Sequence, residues 1–123
     1  MIFEMNGRKW TIKEVNQEEF WKDEGCEDKI GTPEYHNTYH FGRCLFKTQE
    51  IWLWKDVSKE QKRKTLIHEL VHCYIGSYFT FASLDGQDED LWCDIMANSF
   101  DIIKKIVTDY FGCMELLDKV KKY

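Results

Sequence analysis

The segment His68-Glu69-Leu70-Val71-His72 places two imidazoles four residues apart with a carboxylate between them. In a helix, positions i and i+4 share one face, so His68 and His72 project side by side, one turn apart. Two ring nitrogens so placed can reach one Zn²⁺ at ~2.0–2.1 Å. Glu69 stands roughly 100° round from His68, close enough to contact water at such an ion. The pattern supplies two metal ligands and, in Glu69, a general base for metal-activated water, pre-aligned on one rigid element. A helical wheel supports this. With Leu66 at zero, Leu66, Leu70, Tyr74, Ile67 and Val71 fall at roughly 0–140°, and the histidines at roughly 200–240°. The imidazoles therefore leave the apolar stripe together, as residues lining a cleft do.

A catalytic zinc usually takes three protein ligands and keeps one position open. No histidine follows His72, so a downstream third ligand would be a carboxylate. Asp88, Glu89, Asp90, Asp94 and Asp101 all lie at or on a second helical stretch. With Asp90 at zero on that wheel, Leu91, Trp92, Ile95, Met96, Phe100, Ile102, Ile103, Ile106 and Val107 span roughly 100–280°, and Glu89 falls at roughly 260°. Small Cys93 and Ala97 follow Glu89 by one and two turns, which suits close packing against the metal helix. Glu89 is thus the preferred third ligand. Asp90 is the alternative, because Asp94 one turn on could orient a ligand histidine, and Asp94 itself is a further choice. Acids also suit a helix start through the dipole alone.

These residues need a scaffold. Residues 2–15 read as a hairpin turning at Asn6-Gly7, the pair a type I′ turn prefers. Residues 17–24 suit a short helix, and 25–40 carry no regular pattern. Residues 41–47 and 49–54, rich in aromatic and β-branched side chains, read as a second hairpin. Ser58-Lys59-Glu60-Gln61 has the form of a capping box and opens a helix running to Ile75, with Gly76 as its C-cap. After a loop over 77–87, a second long helix runs from an Asp88 cap to near Gly112, and a short tail helix covers Met114–Val120. The expectation is an α+β domain over residues 1–123: N-terminal hairpins forming a small antiparallel or mixed sheet, then the HExxH helix and the second long helix.

Composition narrows the function further. The net charge is -5, which disfavours nucleic acid as partner. The basic cluster Lys59, Lys62, Arg63 and Lys64 reads as the solvated side of a helix. The 5 cysteines are odd in number, widely spaced and without a CxxC pair, so neither a disulfide framework nor a zinc knuckle is expected. Cys73 and Cys93, near the proposed ligands, read as small buried hydrophobes, and the tryptophans as core or groove residues. No apolar run reaches the ~20 residues of a membrane span, and residues 1–7 do not read as a signal peptide. A cytoplasmic protein is the expectation.

On these residues the sequence resembles the gluzincin-type zinc peptidases, in which HExxH is followed by a carboxylate on the next helix. Within them it looks most like the minimal single-domain members of bacterial and phage genomes, near the ImmA/IrrE-like group. The match runs over roughly residues 42–100, through Glu50-Ile51-Trp52-Leu53-Trp54, Thr65 to His72, and an acid within Glu89 to Asp94. Ala97-Asn98 echoes that group's E-x-x-A-N, in a register that puts Asp94 where the family has Glu. The resemblance implies a zinc-dependent hydrolase of peptide bonds with Glu69 as catalytic base, His68 and His72 as ligands, and a peptide or protein substrate, a repressor or regulatory protein among the candidates. It also implies that Ile51–Trp54 edges the cleft and can pair with an extended peptide. A second oxyanion donor is usual, and Tyr74, Tyr78, His36 and His40 are candidates. The alternative is a non-catalytic zincin-like module of phage or mobile-element origin that keeps the fold and binds a partner.

Overall fold

A computed structural model describes residues 1–25, 39–79 and 89–121, with the side chains of Glu89 and of residues 114–121 outside the description. The elements are β1 (Ile2–Met5), β2 (Arg8–Val15), α1 (Gln17–Asp23), β3 (Gly42–Leu45), β4 (Glu50–Trp54), α2 (Lys59–Tyr78) and α3 (Glu89–Lys121). The fold is α+β, with a mixed four-stranded sheet in the order β1-β2-β4-β3.

Asn6 and Gly7 both take positive φ, 50° and 75°, as the turn between β1 and β2 requires. The resulting antiparallel pair sets Phe3 opposite Trp10 and Met5 opposite Arg8. Gln49, at φ 56°, closes the second hairpin, in which Gly42 faces Leu53 and Cys44 faces Ile51. The two hairpins join through a parallel pairing of β2 with β4, Ile12 beside Ile51 and Glu14 beside Leu53. Side chains alternate across each strand. Phe3, Met5, Trp10, Ile12, Ile51 and Leu53 are therefore buried in one cluster with Leu66, Leu70 and Cys73 of α2 and Ile95, Ile103, Ile106 and Val107 of α3. Trp52 points the other way, where Phe20 of α1 meets it edge-on at 5.7 Å. The sheet thus lies between α1 on one face and α2 with α3 on the other.

One polar contact ties the layers together. Glu14 of β2 accepts from Lys62 of α2 at 2.6 Å and from the Tyr110 hydroxyl of α3 at 2.5 Å. Burial alone would raise the Glu14 carboxyl, but the two hydrogen bonds and the Lys62 charge outweigh it and hold the group below its ordinary range. Lys62 is accordingly no member of a solvated basic face. Lys59, too, lies 5.8 Å over the Phe111 ring.

Three local expectations are corrected. The capping box is half formed: Ser58 Oγ accepts from Gln61 N at 3.1 Å, while the Gln61 side chain turns to Thr65 Oγ1. Gly76 does not end α2, which continues to Tyr78 and is capped at Phe79. Gly76 instead makes room for the Phe46 ring, which a Cβ there would overlap. Nor is there a break near Gly112: α3 runs on as one helix of 33 residues, so the expected separate tail is its continuation. A glycine costs a helix only about 1 kcal/mol, too little to stop one anchored by Ile106, Val107, Tyr110 and Phe111. Asp88, the expected cap, lies outside the described residues.

Candidate metal centre

His68 and His72 stand exposed on the middle turns of α2, their Nε2 atoms 3.2 Å apart and their ring planes at 72°. Two nitrogens bound tetrahedrally to one Zn²⁺ at ~2.0–2.1 Å lie roughly 3.3–3.4 Å apart. The imidazoles therefore stand close to a chelating separation on the exposed side of α2, at a distance that is also that of a hydrogen bond between the two rings. On this count the pair fits two of the three protein ligands a catalytic zinc takes.

Glu69 has the opposite setting. The buried face of α2 is Thr65, Leu66, Glu69, Leu70, Cys73 and Tyr74. It is turned toward Glu69 relative to the stripe expected from hydrophobicity, and Ile67 is left 38% exposed. The cause is the neighbouring strand. At Gly42 of β3 a Cβ would overlap Thr65 Cγ2, lie 2.9 Å from the Trp52 carbonyl oxygen and 3.3 Å from Glu69 Cγ. Only a residue without a side chain lets α2 come so close. That approach covers Glu69 to 7% exposure. Burial pushes its carboxyl above the ordinary range, against weaker opposite pulls from His68, His72 and Arg43. A more basic carboxylate beside two metal-ready imidazoles suits a proton acceptor.

Two cavities meet at this point. One, of about 330 Å³, lies between Phe41-Gly42 and the α2 residues Lys64, Thr65, His68 and Glu69. The other, of about 280 Å³, lies between Arg43, Cys44 and Phe46 and the α2 residues Glu69 and His72. Together they form a groove along β3 with Glu69 at its centre. The cleft strand is therefore β3, whereas Ile51–Trp54 is interior, paired on both sides. Beyond Phe41, Tyr39 stacks on Trp54 at 5.3 Å, and Phe41 itself meets Trp54 at 5.9 Å.

Arg43 fixes the strand from behind. Its guanidinium bonds Asp23 at 2.6 Å and also Glu24, and it lies 5.7 Å over the Phe20 ring of α1. Cys44 is in thiol contact with Cys73 of α2. That hydrogen bond, followed by burial and the nearby Cys73 and Glu69, pushes the Cys44 thiol strongly up. Neither Gly42 nor Arg43 carries a motif, and only the pairing of β3 beside α2 reveals them.

The third ligand is less constrained. Among the described residues, no group of three His, Cys, Asp or Glu side chains converges on one point. Glu89 begins α3, with its side chain outside the description, and Asp90 and Asp94 are exposed. The packing argument for Glu89 fails in part, because Cys93 and Ala97 are exposed, and the buried stripe of α3 is instead Ile95, Ser99, Ile103, Ile106 and Val107. Trp92, Met96 and Phe100 of the expected apolar arc are 40%, 54% and 57% exposed.

The candidate oxyanion donors are placed elsewhere. Tyr78 accepts from Asn6 N at 3.0 Å. Tyr74 is buried against Tyr78 and Phe79. His40 is stacked on Phe20 and held through its backbone by Gln17. His36 lies outside the described residues. None of the three described candidates lines the groove. No family model, curated protein or solved structure matches this chain. Among the described residues no helix is long and apolar enough to cross a membrane.

Proposed function

We infer that the chain is a zinc-dependent peptidase, with His68 and His72 as metal ligands and Glu69 as general base. The observation that carries this is the 3.2 Å separation of the two Nε2 atoms beside a buried carboxylate. Held by His68 and His72, zinc would supply the Lewis acidity that activates water near neutral pH. The third ligand is proposed among Glu89, Asp90 and Asp94.

The chain's own residues do the rest. Glu69 takes a proton from the attacking water as oxygen adds to the scissile carbonyl carbon. It returns that proton to the leaving nitrogen as the C–N bond breaks, giving a carboxylic acid and an amine, which leave as carboxylate and ammonium once the acid's proton passes to the amine. The groove along β3 suits an extended peptide. β3 has β4 on one side and no strand on the other among the described residues, so its free edge can offer main-chain hydrogen bonds. Gly42 and Arg43, tied by packing to α2 and by ion pairs to α1, keep that edge in register with Glu69.

Metal content and turnover test the reading separately. Wild-type protein is expected to bind one zinc per chain, and His68→Ala to lose it. Glu69→Gln is expected to keep the zinc and abolish hydrolysis of any peptide that the wild type cleaves. Full metal retention in His68→Ala would refute the ligand assignment. Undiminished turnover in Glu69→Gln would refute the base.

A further inference from the structure

The cavity on the Phe41 side of the groove has an uneven charge distribution. Its acid, Glu69, is buried at the floor, while Lys64 stands exposed at the rim, one turn before His68. The half-buried cations near this groove are committed. Arg43 is paired with Asp23 and Glu24, and Lys62 with Glu14. Lys64 has no ion-pair partner among the described residues. The opposite wall is the Phe41 ring, 45% exposed and backed by Trp54. Its backbone is fixed by the hydrogen bond from Trp54 N to Phe41 O at 2.9 Å. The cavity thus presents an apolar plate, a free ammonium and about 330 Å³ of space immediately beside the proposed base.

We propose that this cavity is a substrate subsite selecting an acidic residue, the Asp or Glu carboxylate held by Lys64 and its carbon stem laid on Phe41. The inference deepens the peptidase reading and rests on it for the identity of the groove as the peptide's path. The chemistry is complementary on both counts. An ammonium on a flexible stem is a point charge that can follow a carboxylate without demanding fixed bidentate geometry, and a methylene stem buries apolar area against a ring. The chain's net charge of -5 makes a local unpaired cation beside the base a discriminating feature rather than part of a general basic surface. No other cation lines either cavity except Arg43, which is already bonded.

Binding tests this without relying on turnover. The probes are acetylated, amidated alanine-rich peptides in which Glu, Gln or Lys is walked through each position, titrated into the zinc-loaded Glu69→Gln protein at low salt. One position of the walk is expected to favour Glu over Gln by roughly 1.4-fold to fivefold, the range an exposed charge pair provides. The preference should shrink as salt is raised. Lys64→Gln should abolish it, and Lys64→Glu should reverse it toward the Lys peptide, with circular dichroism unchanged because the residue is exposed. Equal binding of the three series, a Glu preference that survives Lys64→Glu, or no binding at all would overturn the subsite. Hydrolysis of the same peptides by wild-type protein is scored apart. A charge preference without cleavage would refute the peptidase and retain the subsite, and cleavage without preference would do the reverse.

Discussion

The approach of β3 to α2 at Gly42 can be broken by one methyl group. In Gly42→Ala the new Cβ overlaps Thr65 Cγ2 and falls 2.9 Å from the Trp52 carbonyl oxygen. Neither neighbour yields easily. Thr65 is buried in mid-helix, where β-branching restricts its rotamers, and the Trp52 oxygen belongs to an interior strand. Overpacking of this kind costs about 1–3 kcal/mol. For a chain of this size that is a fall in Tm of about 4–15 °C. The displaced element is α2 at the turn that carries Glu69, whose Cγ is 3.3 Å from the new atom. Activity should therefore fall more than stability alone explains. Thermal denaturation followed by circular dichroism gives the stability change, and Thr65→Ser supplies a control. Removing Cγ2 takes away the worse of the two overlaps, so Gly42→Ala/Thr65→Ser should recover part of the loss, leaving the Trp52 contact. If Gly42→Ala melts within 1 °C of wild type, or if Thr65→Ser makes it no better, the close packing of β3 on α2 is wrong, with the account of why Glu69 is buried.

Gly76→Ala offers a contrast, because its obstacle is the end of the half-exposed Phe46 ring, which can swing aside. The helix gains about 1 kcal/mol from alanine and loses a comparable edge contact between Phe46 and Trp10, 5.4 Å apart. The net change in urea denaturation should stay within about 1 kcal/mol of zero, and a loss beyond about 2 kcal/mol would mean the ring is locked. Tyr110→Phe deletes a 2.5 Å hydrogen bond to the Glu14 carboxylate and should cost about 1.5–3 kcal/mol at neutral pH. Glu14 has a depressed folded pKa, so its contribution is present above its ordinary value of 4.5 and is lost as pH falls through the folded value. Wild-type stability should accordingly drop on acidification below about pH 4.5, and Glu14→Gln should flatten that part of the curve.

Much of the framework follows from local rules. Asn6-Gly7 dictates a tight turn because both residues accept positive φ, and Ser58 opens α2 because its hydroxyl satisfies a first-turn amide. The i, i+4 spacing of His68 and His72 puts both rings on one face of any helix, and the rotamers they adopt bring the Nε2 atoms to 3.2 Å. Other features depend on what lies across the gap. Hydrophobicity alone aims α2 along Leu66, Ile67, Leu70 and Val71, yet Thr65, Glu69 and Cys73 are buried because Gly42 admits the strand on that side. Gly76 and Gly112 carry the composition of helix ends, but packing by Phe46 and by the Ile106–Phe111 stretch keeps both helices running. The cleft strand is β3 rather than β4 because β2 pairs in parallel with β4, a contact between strands 35 residues or more apart that no local pattern encodes. The sequence by itself determined that two imidazoles share one face of α2, since that placement lies within one turn. Only the tertiary structure decided that the carboxylate between them is shielded from water and flanked by two cavities, because desolvation and shape are properties of surfaces brought together by folding.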